Sequence, residues 1–479
     1  MEDVQTPKKK GTKVTVKTYQ DNYMGLDLSN QGIKNLSKSL FQLTFLKELN
    51  LKGNDLEVIP EDIYLLKDLE ILNLSRNKIK CIPPKIGKMV NLKELYLSDN
   101  LISNIPMELG CLYNLNVFEI HNNSLVSPFN VLYREKKLIQ YCREHNTSYP
   151  SPLVRTWIDT IIRRELPGPE YSFGSYNILI NLCALNLAHP PSWVLNPDYR
   201  KENILHEIQQ YNVDVLCLQE IEVYSYQEFY KDQLDLRCDY SSIFCPKGRA
   251  KTIPDNKSVD GCAIFWKKTK FNIVNNFVID FLGRVTQDTR FNKNQDFMNR
   301  YGRKDNIALV AILENRTGDT FIVVNAHLYW DPEFKDIKLI QAAILLEEIE
   351  KIRKIYKNSH VLLIGDLNSL MDSSVYSMIT QGTYDKGDLF DCGYDLNYEP
   401  KLGLKFNDLY GNEEVDFTNF TPLFKGVIDY IFYSDKLTPT SLLSPIEPEY
   451  AERVVGLPNV HFPSDHIFIS GKFTTEKNK

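Results

Sequence analysis

The 479-residue chain has no Cys-x-x-Cys pair. Its nine cysteines are odd in number and scattered. That argues against a disulfide framework and a thiolate zinc site, and for a reducing compartment. The N-terminus carries Lys8-Lys9-Lys10 and lacks the apolar core of a signal peptide. Long hydrophobic runs are missing too. The longest stretch free of Lys, Arg, Asp and Glu runs from Tyr171 to Pro197. It holds Asn177, Asn181, Asn186, His189 and three prolines, too polar and too broken to span a membrane. No membrane partner is expected, and a cytoplasmic or nuclear location is the default. Surplus positive charge is also lacking. The net charge is −6, with 20 Lys+Arg against 17 Asp+Glu in residues 1–150 and 36 against 45 in the rest. Bulk attraction therefore does not recruit a polyanion. A nucleic-acid substrate would need metal ions and local basic spots to offset the repulsion.

What is present begins with a repeat. Hydrophobic residues make up 43 % of the chain and charged ones 25 %, as in globular proteins, and the length suggests two or three domains. Leu26, Leu49, Leu72, Leu95 and Phe118 recur every 23 residues. Around them lies L-x-x-L-x-L-x-x-N-x-L, as in Leu69, Leu72, Leu74, Asn77 and Ile79, then Leu92, Leu95, Leu97, Asn100 and Ile102. The first copy puts Gln31 at the asparagine position, and the last puts Phe118 and Ile120 at leucine positions. Such departures suit end repeats, which cap the stack. We read 1–20 as a disordered tail and 21–145 as a leucine-rich-repeat solenoid, with one amphipathic helix over Phe129–Cys142 closing it. The array either presents a partner surface or shields its neighbour. Residues 146–170, with Pro150, Pro152, Pro167 and Pro169, read as a linker that docks partly on one domain.

From Tyr171 the texture changes. Strand-like runs (Phe173–Ile180, Asp214–Leu218, Gly261–Trp266, Ile307–Leu313, Thr320–Val324, His360–Ile364 and Val427–Phe432) alternate with helical stretches, clearest at Asp198–Tyr211 and Phe334–Lys357. Residues 171–475 are therefore expected to form an α/β layered sandwich. Residues 382–407 and 437–457 read as loops.

Six short motifs stand beside or at the ends of apolar runs: Ser175-Tyr176-Asn177, Leu218-Gln219-Glu220, Asn325-Ala326-His327, Gly365-Asp366-Leu367-Asn368, Ile428-Asp429-Tyr430 and Ser464-Asp465-His466. Together they would place carboxylates, amides and two imidazoles at one rim of a packed sheet, as a magnesium-dependent phosphodiesterase requires. Glu220 would sit at a strand exit, as a metal ligand or an ordinary surface glutamate. Asp366 and Asn368 could serve a water and a phosphoryl oxygen, or form an Asx-turn. Asp429, inside an apolar strand, needs a partner, and His466 is the natural one. His327 could donate to the phosphate. Lys247, Arg249 and Lys251 form either a phosphate-contacting cluster or a solvated loop.

The set Asn177, Glu220, His327, Asp366, Asn368, Asp429, Asp465 and His466 resembles the exonuclease–endonuclease–phosphatase superfamily over about 171–473. Stretches from Pro191-Ser192-Trp193 through Asp198-Tyr199-Arg200-Lys201, Val259–Phe265, Trp330-Asp331-Pro332 and Phe424–Tyr430 are similar to those of its poly(A)-shortening enzymes. With leucine-rich repeats in front, the chain resembles the carbon-catabolite-repressor type of deadenylase. The resemblance implies a four-layer α/β sandwich and a Mg2+-dependent 3′-to-5′ exoribonuclease that shortens mRNA poly(A) tails and releases 5′-AMP. It implies one or two Mg2+ ions held by Glu220 and Asp366. Asn177, His327, Asn368, Asp429, Asp465 and His466 would complete the catalytic set. Pro332 and Phe424 would sandwich the 3′-terminal adenine, with Asn368 and His327 also at the substrate. Partners implied are poly(A) RNA, a second deadenylase subunit bound by the repeats, and a larger mRNA-decay complex. The alternatives are a phosphatase of inositol lipids or small nucleotides, or an inactive scaffold.

Overall fold

The computed structural model describes residues 15–18, 24–160, 168–390, 398–411 and 415–475. Most of the tail at 1–20 and part of the linker, 161–167, lie outside them. The chain divides into two compact units. One comprises Met1–Pro150 with Ala188–Trp193 and Arg453–Val455, and the other comprises the remainder.

In the first unit each 23-residue repeat contributes one short strand. After β1 (Thr15–Thr18) come β2 (Met24–Asp27), β3 (Glu48–Asn50), β4 (Ile71–Asn73), β5 (Glu94–Tyr96) and β6 (Val117–Glu119). Strands β2 to β6 pair in parallel, Leu26↔Leu49↔Leu72↔Leu95↔Phe118. The repeat leucines form one continuous core, and Leu49, Leu72 and Leu95 have no exposure at all. The asparagines satisfy the backbone where each turn leaves the strand. Asn77 Nδ2 donates to Leu51 O and Leu74 O, both at 3.0 Å, while its Oδ1 accepts from Leu56 N. The capping segment is not one helix. It is α1 (Phe129–Arg134) and α2 (Leu138–Glu144), broken where Lys136 takes φ +58°. A helical hydrophobic period persists through such a break, which is why the sequence pattern did not reveal it.

The second unit holds two mixed sheets. The first runs β10-β11-β9-β8-β21-β20-β7. Its strands are β7 (Trp157–Asp159), β8 (Glu170–Asn177), β9 (Val215–Glu222), β10 (Tyr240–Pro246), β11 (Asp260–Lys267), β20 (Leu437–Leu443) and β21 (Ile469–Thr475). The second runs β12-β13-β14-β15-β19-β16. It is built from β12 (Phe271–Asp280), β13 (Ile307–Asn315), β14 (Thr320–His327), β15 (His360–Asp366), β16 (Asn407–Asp408) and β19 (Asp429–Tyr433). A hairpin, β17 (Asn419–Thr421) and β18 (Phe424–Gly426), stands apart. Part of the linker is therefore an edge strand, β7, and 437–457 contains a strand rather than only loop. Pro439 within β20, beside a register shift, hid it.

The sheets pack face to face through Tyr171, Phe173, Phe271 and Phe321, with ring centroids 5.3–5.9 Å apart. Helices cover the outer faces. On the first sheet lies α3 (Pro197–Tyr211), opened by the Asn196 side chain accepting from Asp198 N and closed by Asn212 at φ +45°. Beside it lies α4 (Lys231–Cys238). On the second sheet lies α5 (Lys335–Ile355), which buries Ile337, Ile340, Leu345 and Ile349. The result is helix, sheet, sheet, helix. Each sheet contains one parallel pair, β8/β9 and β14/β15. A parallel pair needs a crossover, and α3 and α5 supply the two. Both pairs thus send two strand C-termini toward one rim.

Candidate active site

Four of the sequence-singled residues end those parallel strands. Asn177 closes β8 and Glu220 lies at the end of β9, while His327 and Asp366 are register partners at the ends of β14 and β15. Asp429 opens β19 directly opposite Asp366. His466 precedes β21 and bridges to Asn419.

The side chains converge. Asn177 Nδ2 donates to Glu220 Oε1 at 3.2 Å and to Asp366 Oδ2 at 2.9 Å. His327 Nε2 faces the same two oxygens at 4.0 and 3.8 Å. His466 Nε2 lies 3.7 Å from Asp366 Oδ2, and its Nδ1 lies 2.8 Å from Asp429 Oδ2. Glu220 and His466, distant in sequence, thus share one pocket through Asp366. Asn368 adjoins it: its N–H donates to Asp366 Oδ1 at 2.9 Å, so the Asx-turn exists together with the clustered carboxylate. Asn368 Nδ2 donates to Leu328 O. Asp465 is half-buried and accepts from the Ser464 hydroxyl at 3.5 Å.

Burial sets the charges. Desolvation, reinforced by Asp429, pushes the Asp366 carboxyl up to about 7. Burial, with Lys247 nearby, lowers His327 to about 4, so it is neutral. Its Nδ1 faces no hydrogen-bond partner among the described residues, which puts the proton on Nε2. Burial opposes charge on His466 as well, but Asp429 and then Asp465 outweigh it and hold the imidazolium well above its usual range.

The donor set fits a divalent cation. Asp366, Asp429 and His466 offer ligand atoms within 4.8 Å of one another. The Oδ1 of Asp429 is buried with no hydrogen-bond partner among the described residues. Crowded carboxylates with an unmatched oxygen are what such an ion relieves. Glu220 is not in that tightest trio. His466 Nδ1 is already taken by Asp429, and a hard cation prefers oxygen. Glu220 Oε1 and Asp366 Oδ2 share the Asn177 amide and so lie side by side at this trio.

Pro332 is exposed and Phe424 is 38 % exposed, on the β17/β18 hairpin. Gly426 lets that ring lie close, since a Cβ there would stand 3.0 Å from Phe424 Cζ and 2.8 Å from Leu370 Cδ2. The basic trio divides differently from the sequence reading. Lys247 pairs with Asp260 at 2.6 Å and Arg249 bridges Asp260 and Asp305, while Lys251 stands 3.7 Å from Asp280 and is exposed.

Sequence reasoning gave no role to several supports. Arg200, 1 % exposed, donates to Pro463 O, Ile178 O, Leu179 O and Asn181 Oδ1, tying the turn after Asn177 to the segment before His466. Lys338 donates to Asn368 O at 2.9 Å. Its signal was readable, because Lys338 shares a helical stripe with Ala342, Leu345 and Ile349. Thr418 Oγ1 accepts from Ile428 N and Asp429 N, and nothing in its local sequence marks it.

The pattern of the Endonuclease/Exonuclease/phosphatase family matches residues 174–466, and a leucine-rich repeat region matches 8–139. The chain is 64 % identical over 478 residues to the probable CCR4-Not complex 3′-5′-exoribonuclease subunit Ccr4 of Vairimorpha ceranae (strain BRL01), covering 100 % of both. It is 40 % identical to the Ccr4 subunit of Aspergillus niger (strain ATCC MYA-4892 / CBS 513.88 / FGSC A1513), over 96 % of this chain and 76 % of that protein. A crystal structure of ANGEL2, a 2′,3′-cyclic phosphatase, with adenosine-2′,3′-vanadate superposes with a TM-score of 0.54 at 25 % identity, over 67 % of this chain and 99 % of that one. The chain belongs to the Endonuclease/Exonuclease/phosphatase family and, within it, to the leucine-rich-repeat Ccr4 exoribonucleases.

Proposed function

We propose that this chain is a magnesium-dependent 3′-to-5′ exoribonuclease that shortens mRNA poly(A) tails and releases 5′-AMP. The observation that carries the reading is the meeting of Asn177, Glu220, His327, Asp366, Asp429 and His466 at one rim. Glu220 and Asp366 would hold the ion. When bound, magnesium offsets charge on the phosphoryl oxygens and makes coordinated water more acidic.

The chain's own groups supply the rest. Asp366 would accept a proton from the attacking water. Asn177 Nδ2 orients that carboxylate and Glu220 together. His466, charged and fixed by Asp429, presents Nε2–H to the scissile phosphate, and neutral His327 presents its own Nε2–H there as well. Asn368 places its amide at the phosphate and the terminal nucleotide. Asp465 adds negative charge behind His466. Pro332 and the half-exposed Phe424 sandwich the terminal adenine, a contact that a base inside a duplex cannot make.

The names of the relatives support a second proposal. The repeat unit binds a second deadenylase subunit and so joins the enzyme to a CCR4-Not-type complex. The ANGEL2 likeness shows that the same fold carries phosphatases, so product identity must decide. Release of AMP from oligo(A), with no phosphate released from inositol phosphates, is the expected outcome. Phosphate release alone would favour a phosphatase, and neither product would favour an inactive scaffold.

A further inference from the structure

The bend that aims Glu220 into the site is held from the opposite sheet. In β9, Gln219 and Glu220 stand against the single Cys262 of β11, between the pairs Leu218↔Ala263 and Ile221↔Gly261. This is a β-bulge, and Glu220 takes φ +57° within it, a region that side chains other than glycine seldom adopt. Asn325 of β14, with no exposure, reaches across the sandwich to this bulge. Its Nδ2 donates to Leu218 O at 2.9 Å and to Ala263 O at 2.8 Å. Its Oδ1 accepts from Gln219 Nε2 at 2.8 Å. Gln219 in turn donates to the Ser175 hydroxyl on β8.

We propose that Asn325 is a positioning residue, which fixes the bulge and thereby the direction of the Glu220 carboxylate and the affinity for the metal. The inference rests on the reading of Glu220 as a metal ligand. Two donors and one acceptor on a short planar group are what the three partners require. Aspartate lacks the donors, leucine lacks everything but the volume, and glutamine is too long. A leucine of similar volume offers no donor to the two carbonyls. With that amide gone, β9 relieves them by closing the bulge, and regular alternation then turns Glu220 away from the rim.

The test uses the full chain freed of metal, with Mn2+ binding followed by electron paramagnetic resonance. Glu220→Gln must abolish binding. If it binds Mn2+ like the wild type, the metal reading fails and this inference with it. If Glu220→Gln loses Mn2+, folded Asn325→Leu should need about 10–100-fold more Mn2+ for half-saturation, with the KM for oligo(A) unchanged. Wild-type Mn2+ affinity in Asn325→Leu would overturn the inference alone. Should that variant not fold, Gln219→Met decides, because it removes the donor to Asn325 Oδ1, together with the Ser175 contact, while leaving the Asn325 amide at both carbonyls. Weakened Mn2+ binding with an unaltered circular dichroism spectrum supports the inference, and unchanged binding overturns it.

Discussion

Glu220 carries a carboxylate whose two oxygens are fixed by the Asn177 amide and the Ile180 N–H, at 3.2 and 2.8 Å. It is not packed in the core, so its loss should be felt in chemistry rather than in folding. Glu220→Ala should cut turnover by at least about 100-fold in a chain that still folds, checked by tail-shortening rates and thermal denaturation. Phe424 is a different case, because the proposed role of its exposed ring is to stack on the base. Phe424→Ala should remove about 1–3 kcal/mol of base stacking and weaken the preference for adenine, read from competition between A and U tails. Equal trimming of both tails by the wild type would contradict the sandwich. The polar cluster was legible in the sequence because each member interrupts or ends an apolar run. Arg200 and Thr418 were not, because their role is to hold backbone carbonyls and N–H groups that only the fold brings near.

At the scale of elements, the two parallel pairs matter most, since each brings two strand ends to the rim. Most strands of that rim could be read from apolar runs. The edge strand β12 could not, because most of its side chains are exposed and three are asparagine. In the repeat unit, the ladder of asparagines makes a sharp prediction. Asn77→Ala removes one of two amide donors at Leu51 O and Leu74 O, which keep those of Asn54 and Asn100, and leaves the Leu56 N–H without its partner, so it should cost about 1–3 kcal/mol. Amide exchange across β3 and β4 should accelerate accordingly. The short strand β16 provides a pH prediction. Burial raises the Asp408 carboxyl to about 6, against the opposing hydrogen bonds from Tyr410 N and the Tyr376 hydroxyl. An unfolded aspartate titrates near about 3.9, so the folded state binds this proton more tightly. Asp408 therefore contributes stability as pH falls through 6 toward 4, and that contribution is absent above 6. Asp408→Asn should raise the melting temperature at pH 8, by the equivalent of no more than about 3 kcal/mol, and lose about half of that gain at pH 5. An equal effect at both pH values would refute the burial account.

For the whole molecule, the sequence likeness runs end to end, with relatives matched over both the repeats and the catalytic unit. The division into repeat array and sandwich was legible because one has a 23-residue period and the other has none. The break in the capping helix was not, since a single residue at positive φ leaves the hydrophobic period intact. The central claim is that the rim carboxylates and imidazoles act on an RNA 3′ end with a divalent cation. Its most direct test is to follow a 5′-labelled RNA with an oligo(A) tail, in magnesium and then in chelator. The account predicts stepwise loss from the 3′ end with release of 5′-AMP in magnesium, and an intact tail in chelator. Shortening that continues in chelator, or release of phosphate in place of AMP, would contradict it.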